Sequence, residues 1–282
     1  MTTDLVSLLL IGDSHVTGFQ AQQIKVRVTP DRTLPVDMKY VFLDGAYGAL
    51  DMTVTFPDGR SDLNPLFAYA LKSWPGFDKK GAPLAALNPE KHLVVSAGTG
   101  LSHYDPGLEF GDRAADRLMF PANIDFVLPG QPALPTDPAL TILPVALIRD
   151  MFEVLLQPMK EALTLLAREY PEGLWVMCAP PPPRDATTLT RLVEFRAGVS
   201  GAAVVVPSTL VLMKTWLLVR DSVRDICHAA GCTFIDCPPE VFDVDGFLKP
   251  ELVRDGIHGN TEYHVAMTRH LVTVVASAAA AR

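Results

Sequence analysis

The sequence predicts an α/β protein of three layers (α/β/α), with a central parallel sheet of about five strands. Three observations carry this. Five short, mainly apolar runs occur at Val6 to Ile11, Lys39 to Leu43, His92 to Ser96, Leu174 to Cys178 and Thr233 to Ile235. Their length and unbroken character are those of strands buried on both faces. Longer stretches between them have helical spacing, as in Pro144 to Tyr170, where Leu147, Met151, Leu155, Met159, Leu163 and Leu166 recur every three or four residues. Glycines follow the first three runs, at Gly12, Gly45 and Gly98. Strands alternating with helices argue for a parallel sheet covered on both faces.

In chain order, Val6 to Ile11 is the first strand and Lys39 to Leu43 the second, ending at Asp44-Gly45. Met52 to Phe56 alternates with polar residues and runs into Pro57-Asp58-Gly59, a small hairpin outside the main sheet. Asn64 to Trp74 reads as a short helix. His92 to Ser96 is the next central strand, closing on Ala97-Gly98-Thr99-Gly100. Residues 101–138 are rich in Pro, Gly and Asp and lack periodicity, so they read as an irregular insertion over the strand ends, part of a binding rim. Pro180 to Pro183 stops the strand that follows the long helix. Residues 187–196 and about 208–229 read as helices, the second ending at Gly231, and Ala266 to Ala279 as the closing helix. No repeat or linker divides the chain, so residues 1–282 form one domain with an insertion at about 101–138.

A chain of 282 residues builds a core without a disulfide or metal staple. The net charge of -8, from 32 acidic and 24 basic residues, carries no basic stripe, which argues against nucleic acid as a partner. Cys227, Cys232 and Cys237 stand five apart, a spacing that matches no common zinc pattern, and Cys178 reads as a small core residue. Sparse cysteine, no N-x-S/T acceptor and an N-terminus without a positive segment point to a cytoplasmic location. The longest uncharged stretch, Ala197 to Met213, contains Pro207 and two glycines, so no membrane span is expected. It reads as a buried segment, a surface between copies of the chain, or an active-site lid. No acidic cluster, P-loop or H-E-x-x-H occurs, and Gly98-Thr99-Gly100 has His103 where a dinucleotide fingerprint needs its third Gly. Neither metal nor cofactor is expected.

Ser14 carries the most chemistry. It lies in Leu10-Ile11-Gly12-Asp13-Ser14-His15, directly after the first strand, and Asp255-Gly256-Ile257-His258 lies near the other end. A serine hydroxyl is a poor nucleophile until a base takes its proton, and the base works best when a third group fixes its tautomer. Ser14, His258 and Asp255 therefore point to acyl-ester hydrolysis. Taken singly, Gly-Asp-Ser is a turn, Asp255 a helix N-terminal residue and His258 a surface histidine; order and spacing carry the stronger reading. Asp13 holds the turn. Asn260 caps the last helix. His15 and His103 are rim residues or substrate contacts. His228, His264 and His270 are surface or packing residues.

This set resembles the SGNH hydrolase superfamily, the GDSL-type esterases. Gly12-Asp13-Ser14 matches its first block, Gly45 its second-block glycine (with Gly48 as the alternative), and Asp255-Gly256-Ile257-His258 its closing D-x-x-H. Ala179-Pro180-Pro181-Pro182 and Asp245-Gly246-Phe247-Leu248 are similar to further family segments, and the resemblance runs from residue 6 to about 275. It implies the flavodoxin-like SGNH fold and cofactor-free attack by Ser14, with His258 as base and Asp255 as its orienter. The oxyanion would be held by the N–H groups of Ser14 and Gly45 and by an Asn side chain from G-x-N after the third strand. Here that block reads Gly98-Thr99-Gly100. Losing one oxyanion donor costs about 2.7–4 kcal/mol, which leaves slow chemistry rather than none. The Gly100 N–H, Ser102 or His103 are the candidate replacements. The resemblance implies short-chain or carbohydrate O-acyl esters as substrates. A weakened binding protein on the same scaffold, or an acyltransferase using the same triad, are the competing functions.

Overall fold

The computed structural model describes residues 6–12, 14–19, 22–42, 53–63, 92–96, 124–171, 173–185, 187, 190, 208–256 and 258–280. Its main sheet has six strands in the order β10-β9-β6-β1-β3-β2. These are β1 (Val6–Gly12), β2 (Gln22–Thr29), β3 (Arg32–Phe42), β6 (Leu93–Ser96), β9 (Leu174–Met177) and β10 (Thr233–Ile235). Every neighbouring pair is parallel except β2–β3 at the edge. The five parallel strands are those expected. Beyond them, the structure adds β2 and extends the second strand back to Arg32. Both additions come from one hairpin in which Ile24 and Val26 alternate with exposed Lys25 and Arg27. Pro35 lies one residue before the β1–β3 register begins at Val6 and Val36, so its missing N–H interrupts no bond of that ladder.

Strand side chains alternate between faces. Leu9, Ile11, Val95 and Val176 pack on one side against α1 (Val145–Glu169) and α2 (Thr209–Ala230). Leu8, Leu10, Val94 and Met177 pack on the other against α3 (Thr261–Ala280) and the 3-10 turn Ser14–Phe19. Burial on both faces explains why β1 is apolar at nearly every position.

The helix expected over 144–170 forms, but its buried stripe is shifted. Ile148, Phe152, Leu156, Leu163 and Leu166 enter the core, whereas Leu147 is 45% exposed. Two apolar lines lie side by side on this helix, and the sheet takes the one through Ile148. α2 begins where the Ser208 side chain accepts the Val211 N–H, and it ends at Gly231 with φ 76°. α3 begins five residues before Ala266, because the Asn260 side chain accepts the Tyr263 N–H at 3.1 Å. The expected small hairpin is β4 (Thr53–Thr55) with β5 (Ser61–Leu63), closed by the Phe56 N–H on the Arg60 carbonyl at 2.8 Å.

Part of the stretch taken as irregular is ordered. β7 (Ile124–Phe126) pairs in parallel with β8 (Thr141–Leu143). Asp125, in β7, forms a fully buried ion pair with Lys214 of α2 at 2.5 Å. Lys214 Nζ also donates to the carbonyls of Phe126 and Pro135, both at 3.1 Å, so its three protons are all used. Asp125 accepts the N–H groups of Phe126 and Asp137 in turn. This network fixes residues 124–137 to α2.

The described end of the Ala197–Met213 stretch is interior: Val211, Leu212 and Met213 belong to the core rather than to a lid or an outer surface. Residues 101–123, the proposed helix at Asn64 to Trp74 and most of 187–196 lie outside the described residues. Among the described residues no helix is long and apolar enough to cross a membrane.

Candidate functional site

Parallel strands of such a sheet end together, and ligands bind at their carboxyl ends. β1 ends at Gly12, where a Cβ would stand 2.6 Å from Ser96 Cβ at the end of β6. Glycine therefore lets the two strand ends close up. The chain then enters the turn Ser14–Phe19, held down by the buried Val16 and Phe19. The turn's far end rests on α3: a Cβ on Gly18 would lie 2.1 Å from His264 ring atoms, and the Phe19 and His264 rings meet edge to face at 4.8 Å. Ser14 is thus the first residue of a turn fixed at both ends.

The loop before α3 is tied off by backbone bonds. The Arg254 N–H reaches the His258 carbonyl at 3.0 Å, and the Asn260 N–H reaches the Leu252 carbonyl at 2.8 Å. Asn260 Nδ2 adds a bond to the Glu251 carbonyl at 2.6 Å. Inside this closure His258 Nδ1 stands 2.9 Å from both carboxylate oxygens of Asp255, and the His258 backbone N–H donates to Asp255 Oδ1 at 2.8 Å. An ionised carboxylate only accepts, so Nδ1 carries the proton and Nε2 of the neutral ring keeps its lone pair. That is the tautomer a general base needs. The pair is partly open to solvent, with His258 16% and Asp255 30% exposed.

The helix after this loop also holds the turn after β1. His264 Nδ1 donates to the Asn260 carbonyl at 2.6 Å, so one helical turn carries the cap of α3 and the ring that meets Gly18. Tyr263 is buried beside it, its hydroxyl 3.6 Å from Cys237 Sγ. Burial pushes its phenol well above the ordinary range, which keeps it neutral.

The two further segments quoted for the resemblance touch each other. The Leu248 N–H donates to the Pro182 carbonyl at 3.1 Å, and the Asp243 carboxylate accepts the N–H groups of Asp245 and Phe247 across a turn with Gly246 at φ 88°. Arg184 joins the two segments through ion pairs with Asp243 and Asp245.

Of the residues expected in the site, Asp255 and His258 are brought together, and Ser14 opens the turn at the end of β1. The side chains of Ser14 and His15 lie outside the described set, as do Gly45, Gly100, Ser102 and His103. Among the other histidines, His228 is exposed, His270 half-buried and His264 buried. The anchoring role of His264 has no sequence signal, because its partner Gly18 is remote in the chain. Ser96 was also missed: its Oγ is buried beside Gly12 and meets no hydrogen-bond partner among the described residues. Among the described residues no group of His, Cys, Asp and Glu could hold a metal ion.

No family profile matches the sequence, and no curated protein matches it. Solved structures do. A protein from Streptococcus pneumonia, provisionally described as a platelet activating factor, is 12% identical over 98% of this chain and 86% of its own, with a TM-score of 0.41. A GDSL-like lipase from Bacteroides thetaiotaomicron is 12% identical over 96% of this chain and 88% of its own, with a TM-score of 0.45. A provisionally described acylhydrolase from Bacteroides fragilis is 12% identical over 96% and 86%, with a TM-score of 0.41. At TM-scores below 0.5 and 12% identity the likeness is a distant one. It assigns no reaction.

Proposed function

We propose that this chain is a serine hydrolase that cleaves acyl esters through Ser14, His258 and Asp255. The observation that carries this is the Asp255–His258 pair, which leaves Nε2 as an acceptor on a loop tied off just before α3. The same helix braces the turn that starts at Ser14.

In this reading His258 Nε2 takes the Ser14 hydroxyl proton as Oγ attacks the ester carbonyl carbon. Asp255 stabilises the imidazolium that forms. The tetrahedral oxyanion takes the backbone N–H groups of Ser14 and Gly45. The third place falls to the Gly100 N–H, Ser102 or His103. The intermediate collapses as His258 returns the proton to the leaving alcohol. Water, deprotonated by the same imidazole, then releases the acid and restores Ser14. No cofactor enters. Short-chain or carbohydrate O-acyl esters in the cytoplasm are the proposed substrates.

Gly100 favours one other reading, a binding protein with weakened catalysis. A fluorophosphonate probe separates the two. Labelling that disappears in Ser14→Ala supports an activated nucleophile, while an unlabelled wild type supports the binding protein. Acyl transfer would appear as an ester of an added alcohol among the products.

A further inference from the structure

We infer that Cys227 and Cys232 form a site of reversible thiol oxidation, closing to an intramolecular disulfide at the end of α2. The geometry comes from how the helix stops. Gly231 takes φ 76°, the Cys232 N–H bonds to the Cys227 carbonyl at 3.0 Å, and the Gly231 N–H bonds to the His228 carbonyl at 3.3 Å. These two bonds define the Schellman ending, which brings together the side chains of the fourth-last residue of α2, Cys227, and of the residue after the glycine, Cys232. That contact is frequently between two apolar residues. Here it is between two cysteines.

Their environments differ in the way such a pair needs. Cys227 is 1% exposed, whereas Cys232 is half-buried and within reach of a small oxidant. Cys232 packs against the core cluster that contains Cys227. Their proximity holds Cys232 below the ordinary value of 9.0, while the Cys232 side chain and burial push Cys227 far above it. Cys232, the more open of the two, is therefore the thiol that reacts first, and the buried Cys227 the one that resolves. The other close pair, Cys178 and Cys237, lies wholly inside the core, and burial pushes Cys178 up.

With hydrogen peroxide as oxidant the steps balance. The Cys232 thiolate attacks one peroxide oxygen, the O–O bond breaks, and Cys232 sulfenic acid and hydroxide form. The Cys227 thiol then attacks the sulfenic sulfur, the S–S bond forms, and water leaves with the thiol proton. Both sulfurs are oxidised and the peroxide is reduced to water; a dithiol reverses the change. The crosslink sits where β10 begins, at the edge of the sheet opposite the strand ends that carry the candidate site.

The test uses the full chain in its folded state. It is treated with hydrogen peroxide, denatured, alkylated and cut before aspartates. Fragment 225–235 contains Cys227 and Cys232 and no other cysteine. The expected result is loss of two hydrogens from that fragment and loss of both its alkylation sites, restored by dithiothreitol. Cys232→Ser should leave Cys227 fully alkylated, and Cys227→Ala should leave Cys232 as a sulfenic acid that a dimedone probe captures. The inference is overturned if both thiols of the fragment stay alkylatable, or if Cys232 crosslinks to Cys237 instead. None of these readings involves Ser14, so the site stands or falls independently of the proposed hydrolase.

Discussion

Gly18 and His264 occupy one space: a methyl group on Gly18 would fall 2.1 Å from the imidazole of His264. The turn from Ser14 and the helix after His258 are therefore fitted to each other without slack. Gly18→Ala must push the His264 ring or the turn aside. Overpacking of this kind costs about 1–3 kcal/mol. A displacement of about 1 Å at a reacting group costs up to about a hundredfold in rate. The expected variant folds with a lower urea midpoint, and its kcat on a p-nitrophenyl ester falls more than its KM rises. An unchanged kcat would separate the turn's position from the chemistry.

Asp255→Asn tests the tautomer. Asparagine can present its NH₂ to Nδ1, which moves the ring proton to Nε2 and removes the base. A loss on the order of 10⁴-fold in kcat is expected, with an unchanged far-UV spectrum. Loss of less than about tenfold would mean that Asp255 does not orient a catalytic histidine.

Ser96→Ala should stabilise the protein. The buried Ser96 Oγ meets no hydrogen-bond partner among the described residues, and an unmet buried hydroxyl costs about 1–3 kcal/mol. The expected sign is a higher urea midpoint at the same m-value. A lower midpoint would show that the hydroxyl is satisfied in solution.

Lys214→Ala leaves the Asp125 carboxylate buried without its cation. About 3–5 kcal/mol of stability should be lost in urea unfolding, and Asp125→Ala should cost a similar amount. The double replacement should cost less than the sum of the two, since neither charge is then stranded.

Gly100→Asn restores the donor that the resemblance expects. If the oxyanion slot is empty, turnover should rise, by up to about a hundred- to a thousandfold. An equal or lower rate would mean that another donor already fills it.

How much was legible in the sequence follows from burial and from sequence distance. The five parallel strands could be read because both faces of the sheet are covered, which forces continuous apolar runs. The hairpin at Phe56 to Arg60 could be read because Gly59 needs φ 80°, which its Pro-Asp-Gly context announces. β2 escaped because its Lys25 and Arg27 break the apolar run. Asp255 and His258 are three residues apart, so their pairing was local and visible. Asp125 and Lys214 are 89 residues apart, and neither residue alone announces a buried partner. The same holds for Gly18 and His264, whose fit arises only when α3 is laid on the sheet.

The most direct test of the account is hydrolysis of p-nitrophenyl acetate and butyrate by the wild type and Ser14→Ala, side by side. The account predicts turnover by the wild type that disappears with the Ser14 hydroxyl. Equal rates in both proteins would contradict it.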